Sequence, residues 1–413
     1  MRGCAVLYTL GMAALMAVVS IAPVAHGQDD AMPPGVLPAE EAEAGWINLF
    51  DKETTFGWNA IGDAEWTVVD GVLTCQGGSG GLLATSSQFA DYELVVKIRV
   101  SGETPTTGVQ VRSPLQGHFT ENGAVYVPVT GSKDAAGDWH TIEVTANGGD
   151  VTAKLDGNAV TLDGRARSHG YIAIQYHGHG GKVEVSEAKL KPINMNAIFN
   201  GEDLTGWNII EGHASVFTVK DGGINIENGN GQIETANLYK DFVLQLDIIS
   251  NGTELNSGVF YRGPVGIFWK GYESQVRNHW TDNRRNPYDF GTGGNYGNQP
   301  TRMVVSSDHE WFHKTIVVDG NHAAVWVNGY QTSDFTDTRP VSENSDGKAG
   351  YVPGPGTIHL QGHDPTTNLT FKNIEIQEYP QRGPRAGGRP EGAGGEAGHG
   401  ERTGRGGRGR QAE

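Results

Sequence analysis

Cysteine is almost absent from this chain, with two in 413 residues, Cys4 and Cys75. Cys4 lies in an N-terminal segment that reads as cleavable, and one remaining thiol cannot close an intramolecular disulfide. Cys75 sits in the strand-like stretch GVLTCQ, where a free cysteine acts as a small buried hydrophobe rather than a nucleophile. Positive charge is also scarce. The formal net charge of −17 argues against nucleic acid as a main partner, because phosphate binding needs a basic surface. Beyond the N-terminal segment no apolar run is long enough to span a bilayer, so no stable membrane insertion is expected after cleavage. A long amphipathic helix and a compact metal-ligand motif are lacking too, and no cofactor is called for.

The first 27 residues have the features of a secretory signal. Arg2 supplies the positive end, Ala5 to Val24 is apolar, and Ala25-His26-Gly27 offers a small-x-small cleavage site. A periplasmic or secreted protein is the expectation. Residues 28–44 are rich in proline and acid and read as a disordered, solvated leader. Residues 381–413 are rich in Gly, Arg and Glu with almost no apolar side chains, so they cannot bury a core and should be disordered.

Between these ends lies a repeat. LFDKETTFGWNAI (Leu49 to Ile61) returns as IFNGEDLTGWNII (Ile198 to Ile210), and TGVQVRSP returns as SGVFYRGP. Asp91 and Arg112 each recur 150 residues on, as Asp241 and Arg262. The two copies span 45–192 and 194–379. The short join KPINMN implies that they touch. Within each copy the signal is strand after strand. Leu94, Val96, Ile98 and Val100 alternate with Glu93, Val95, Lys97 and Arg99, and Phe242, Leu244, Leu246 and Ile248 keep the phase. Period two with one apolar side marks half-buried strands. Asp-Gly and Asn-Gly pairs punctuate them as turns. The expectation is all-β, with one β-sandwich per copy.

The copies diverge after Pro264. The second gains 22 residues before Trp311 and 14 more after Asn328-Gly329. Added loops on a retained scaffold are where binding and catalysis gather. In GYESQVRNHW, period two puts Glu273, Gln275, Arg277 and His279 on one face. Arg262 shares a face with Phe260. In TIHLQGHD, His359, Gln361 and His363 share a face if the strand persists that far. Solvent-facing polar sides of edge strands are the plain alternative for each. Three such faces in the longer copy favour a site. Trp269, Trp280, Tyr288 and Tyr296 lie in or beside the loop from Thr281 to Pro300, and aromatic faces with amides and carboxylates nearby suit sugars.

Taken in order, LF…GW, SGVFYRGP, GYESQ, GNHAAVWVNG, IHLQGHD and FKNIEIQE resemble the exported bacterial 3-keto-disaccharide hydrolase family. The resemblance covers nearly all of the second copy and, more weakly, the first. It implies a concanavalin A-like jelly roll in each copy and a site at Arg262, Glu273, Gln275, Gln361, His363 and Asp364. Trp269 and Tyr296 add aromatic contacts to the substrate. The first copy keeps Arg112 and Gln175 but has GAVYVPV in place of YESQ, so it reads as degenerate.

A glycosidase needs two carboxylates roughly 5–9.5 Å apart, and Glu273 with Asp364 leaves that route open. A 3-keto sugar opens another, in which a base removes the acidified C2 proton, the aglycone leaves C1 and water adds back. That route needs a base, an oxyanion stabiliser and a proton donor. The expected roles are Glu273 as base, Arg262 as fixed charge and His363 as proton donor, with Glu273 and His363 exchangeable. A divalent metal is the alternative to Arg262 as electrophile. A non-catalytic, lectin-like carbohydrate-binding protein is the rival reading, since two copies raise avidity.

Overall fold

The computed structural model describes residues 1, 31–102, 106–115, 124–131, 137–164, 167–178 and 180–380. Residues 2–30 and 381–413, which hold most of the expected signal and all of the expected tail, lie outside the described residues.

Each copy is a sandwich of two antiparallel sheets. In the second, one sheet runs in the order Val216–Lys220, Gly223–Glu227, Asn368–Glu378, Phe242–Ser250, Trp311–Asp319, His322–Val327, Tyr330–Thr336. The other runs Trp207–Ile209, Gly231–Thr235, Thr357–Gly362, Ser257–Gly263, Tyr272–Val276. The first copy repeats both orders strand for strand and adds one short edge strand, Asp163–Gly164. The expected alternation holds. Leu94, Val96, Ile98 and Val100 are buried, as are Phe242, Leu244, Leu246 and Ile248. Alternating apolar residues must face the opposite sheet to leave water, which fixes the register of each strand. Cys75 is buried and free, and burial pushes its thiol up to about 11. That agrees with a packing role.

The copies share a core. Val243, Val317, Ala324, Trp326 and Tyr379, on the outer face of the second copy's larger sheet, belong to the first copy's hydrophobic cluster. The Trp326 indole N–H donates to Asn48 O at 2.9 Å, and Arg302 pairs with Asp51 at 2.9 Å. Residues 31–44 correct the expectation of a disordered leader. They include a short helix, Ala39–Glu43, beside this seam. Leu37 N donates to Asn328 O, Lys189 pairs with Glu41 at 3.0 Å, and Gly45 O accepts from Gln245 Nε2 at 2.9 Å. The prolines and acids suggested solvation, but Val36 packs against the second copy's core.

Candidate functional site

The smaller sheet of the second copy turns one face inward. Ile233, Val259, Tyr261, Tyr272, Val276, Ile358 and Leu360 all belong to the core cluster. The register then dictates the other face. Glu234 pairs with His359, His359 with Phe260, and Phe260 with Glu273. One step along, Gln232 pairs with Gln361, and Gly258 with Gln275. Four adjacent strands thus form two rows, polar on three of them, with Phe260 and Gly258 contributed by the fourth. Every member is buried, with Glu273 4% exposed.

The first row is tied together. Glu234 accepts from Gly266 N at 3.0 Å and from Thr357 Oγ1 at 3.0 Å, and His359 Nε2 lies 3.4 Å from its carboxylate. His359 Nδ1 is 3.2 Å from Gln232 Oε1, which also accepts from Trp269 N at 2.7 Å. Burial pushes His359 down to about 4, so the ring is neutral. The segment Pro264 to Gly271 is therefore anchored on Glu234 and Gln232, and it brings Trp269 beside Glu273. Gly258 is required here, because a Cβ on it would collide with the Glu273 carboxylate leaning across it.

Three polar atoms in these rows are buried without a partner: Glu273 Oε2, Gln361 Oε1 and Gln232 Nε2. Buried polar groups are nearly always satisfied, so a cluster of orphans marks a place built for something else. Burial raises the Glu273 carboxyl to about 8, against the opposing pull of Lys348 and a hydrogen bond from the Trp269 side chain. Lys348 Nζ lies 4.4 Å from the Trp269 ring. Tyr296 N donates to Glu273 O at 2.9 Å, which sets its ring beside the site. Gln275 Nε2 donates to Asp289 O at 2.9 Å.

Beneath the site is a residue that alternation alone should have revealed. Lys314 shares a phase with Phe312, Ile316 and Val318, so it points into the core. It is fully buried, and Nζ donates to Ser274 O at 3.3 Å, Ser274 Oγ at 3.2 Å and Gln275 O at 2.8 Å. Burial pushes it down to about 7.

Arg262 does not stand over Glu273, which corrects its expected role. Its guanidinium donates to Val352 O at 2.8 Å and Lys240 O at 3.2 Å, and it pairs with Asp241 at 3.0 Å. Arg112 does the same in the first copy, pairing with Asp91 at 2.8 Å and donating to Ala90 O, Gly148 O and Arg167 O. Both arginines sit at positive φ (52° and 54°) beside a register shift. A strained backbone and the same paired aspartate and neighbouring carbonyl in both copies make this arginine part of the frame. His363 and Asp364 also fall outside the two rows. The strand ends at Gly362, and Asp364 caps the following turn through Thr366 N and Thr366 Oγ1. His363 is exposed, 3.0 Å from Asp364. Among the described residues no group of three or more His, Cys, Asp or Glu is placed to hold a metal ion.

The first copy carries the same face without its charge. Glu234, His359 and Glu273 correspond by register to Ala84, Ala173 and Tyr126. Gln232 and Gln275 correspond to Leu82 and Pro128, and Lys314 to Ile142. Only Gln361 keeps its counterpart, Gln175. Comparing GLLAT with GQIET, 150 residues apart, exposes Gln232 and Glu234 from sequence alone.

Among solved structures, the chain is similar to two from Parabacteroides distasonis ATCC 8503 described as candidate glycosyl hydrolases. One is 22% identical over 45% of this chain and 93% of that one, with a TM-score of 0.36. The other is 25% identical over 46% and 85%, also at 0.36. A carbohydrate-binding module from Bacillus subtilis is 15% identical over 44% and 99%, at 0.32. No curated protein matches. The family model for a 3-keto-alpha-glucoside-1,2-lyase-like domain matches residues 45–191 and again residues 194–377. With both sandwiches matched and the same strand order in each, the chain belongs to the 3-keto-alpha-glucoside-1,2-lyase-like family and carries its domain twice.

Proposed function

We propose that the second copy cleaves a 3-keto-glycoside by elimination, with Glu273 as the base. The carrying observation is the trio of unpartnered buried atoms, Glu273 Oε2, Gln361 Oε1 and Gln232 Nε2, on one sheet face. Glu273 takes the C2 proton, and the C–H electrons move to form an enolate on the 3-keto oxygen. The aglycone then leaves C1 with its bonding pair and gains a proton. Addition of water to the unsaturated product completes a net hydrolysis. A carboxyl raised to about 8 is a strong base once ionised, and its pKa is close to working pH, where general-base catalysis is most effective.

The donor for the developing oxyanion is Gln232 Nε2, supported by the Lys348 charge. These groups replace Arg262 in the oxyanion role. Gln361 Oε1 receives a sugar hydroxyl. Trp269 and Tyr296 supply aromatic contact, and the leaving group takes its proton from water, because His363 lies past the strand end and outside the two rows. We place this activity outside the cytoplasm, on the reading of residues 1–27 as a signal.

The test is direct. The full chain is incubated with a 3-keto-glucoside and with its non-oxidised parent. Release from the keto sugar alone is expected, with kcat/KM rising with pH through about 8 and Glu273→Gln lowering it by roughly 10²–10⁴. Binding of the keto sugar without release would replace this reading with the lectin-like one. Cleavage of the parent sugar at the same rate would return the two-carboxylate route.

A further inference from the structure

The face that holds Glu273 in the second copy is a hollow in the first. Its volume is about 460 Å³, within the range of small-ligand sites. Ile61, Leu82 and Leu115 give it apolar walls, and Gln110, Ser113 and Gln175 give it polar groups. We propose that this hollow is a non-catalytic binding site for an uncharged sugar unit.

The register carries the argument. Leu82, Gln110 and Gln175 occupy the positions of Gln232, Phe260 and Gln361 on the equivalent strands. The site is therefore the duplicate of the Glu273 site with its acid–base groups exchanged for Ala84, Ala173 and Tyr126. Tyr126 leans over Gly108 as Glu273 leans over Gly258. What remains binds without proton transfer. Gln110 is 1% exposed, and Ser113 Oγ donates to its Oε1 at 2.9 Å, which fixes the amide. Its Nε2 is left buried with no partner, on a side chain that lines the hollow. A buried amide N–H in that state calls for an acceptor, and a sugar hydroxyl or ring oxygen provides one. Gln175, also buried, places a second amide beside it, with Nε2 3.5 Å from His177 Nδ1. The apolar walls suit sugar C–H faces. No Lys, Arg, Asp or Glu lines the hollow among the described residues, so a charged ligand would be desolvated without compensation.

The inference does not depend on cleavage by the second copy. Its test uses the full chain carrying Glu273→Gln, titrated calorimetrically with glucose, maltose, cellobiose and sucrose. At least one of these sugars should bind saturably. Adding Gln110→Leu with Gln175→Leu should abolish that binding, and each single change should weaken it about ten-fold, as expected for one lost hydrogen bond that leaves a sugar group unpaired. The single variants serve if the double does not fold. In a chain with Glu273 intact, the same pair should leave 3-keto-glucoside turnover unchanged. Absence of binding by all four sugars, or binding indifferent to both glutamines, would overturn the proposal whatever the second copy does.

Discussion

Replacing Glu273 with glutamine should stabilise the protein, and by an amount that grows with pH. Burial lifts this carboxyl from 4.5 to about 8. Below 4.5 it is protonated in both folded and unfolded chains and makes no difference. Between 4.5 and about 8 the unfolded chain ionises while the folded chain keeps its proton, so the folded state loses about 1.4 kcal/mol for each pH unit. Near pH 7 the loss reaches about 3 kcal/mol, and near pH 5 it is under about 1 kcal/mol. Glutamine is neutral throughout and escapes it. Its oxygen can keep the hydrogen bond from the Trp269 side chain, and its NH₂ enters a face where Gln361 Oε1 lacks a partner. Thermal midpoints of the two proteins, compared from about pH 5 to about pH 8, should separate by several degrees at the upper end and nearly coincide at the lower. A gap that stays constant with pH, or a variant that melts earlier near pH 8, would refute the reasoning.

Three further outcomes follow from the described contacts. Arg262→Ala and Arg112→Ala should each cost about 3–5 kcal/mol in denaturant unfolding, since each strands a carboxylate and several carbonyls. A variant at Arg262 that kept full stability but lost turnover would restore its chemical role. Lys314→Met removes the donor from Ser274 O, Ser274 Oγ and Gln275 O and should cost about 1–3 kcal/mol. An unchanged denaturant midpoint would exclude a stabilising role for those three contacts. Trp326→Ala should destabilise by about 3–5 kcal/mol, and proteolysis should open both copies together rather than the second alone.

The duplication, the strand phases and the inward face of each sheet were legible because side-chain alternation and turn chemistry are local. The face bearing Glu273, Gln275 and Gln361 followed from the same alternation. What failed was its extrapolation past irregularities. Arg262 lies at a register shift with positive φ, where period two no longer says which way a side chain points. His363 lies just past the end of its strand, where the turn capped by Asp364 redirects it. Glu234, Gln232 and Lys314 were missed for a different reason. Each is polar within a buried strand. Lys314 breaks the apolar phase of Phe312, Ile316 and Val318, and comparison with Ala84 and Leu82 in the first copy makes Glu234 and Gln232 stand out. The leader was misread because composition reports solubility and not the contacts that Val36 and Leu37 find on the second copy.

The shared hydrophobic cluster has a consequence for dissecting the chain, since neither copy can be removed without exposing apolar surface. Deleting residues 45–192 would leave Val243, Val317, Ala324, Trp326 and Tyr379 as a bare apolar sheet face. The first copy therefore serves as the cover of that face whether or not it carries a site of its own, and a cover needs no counterpart of Glu273.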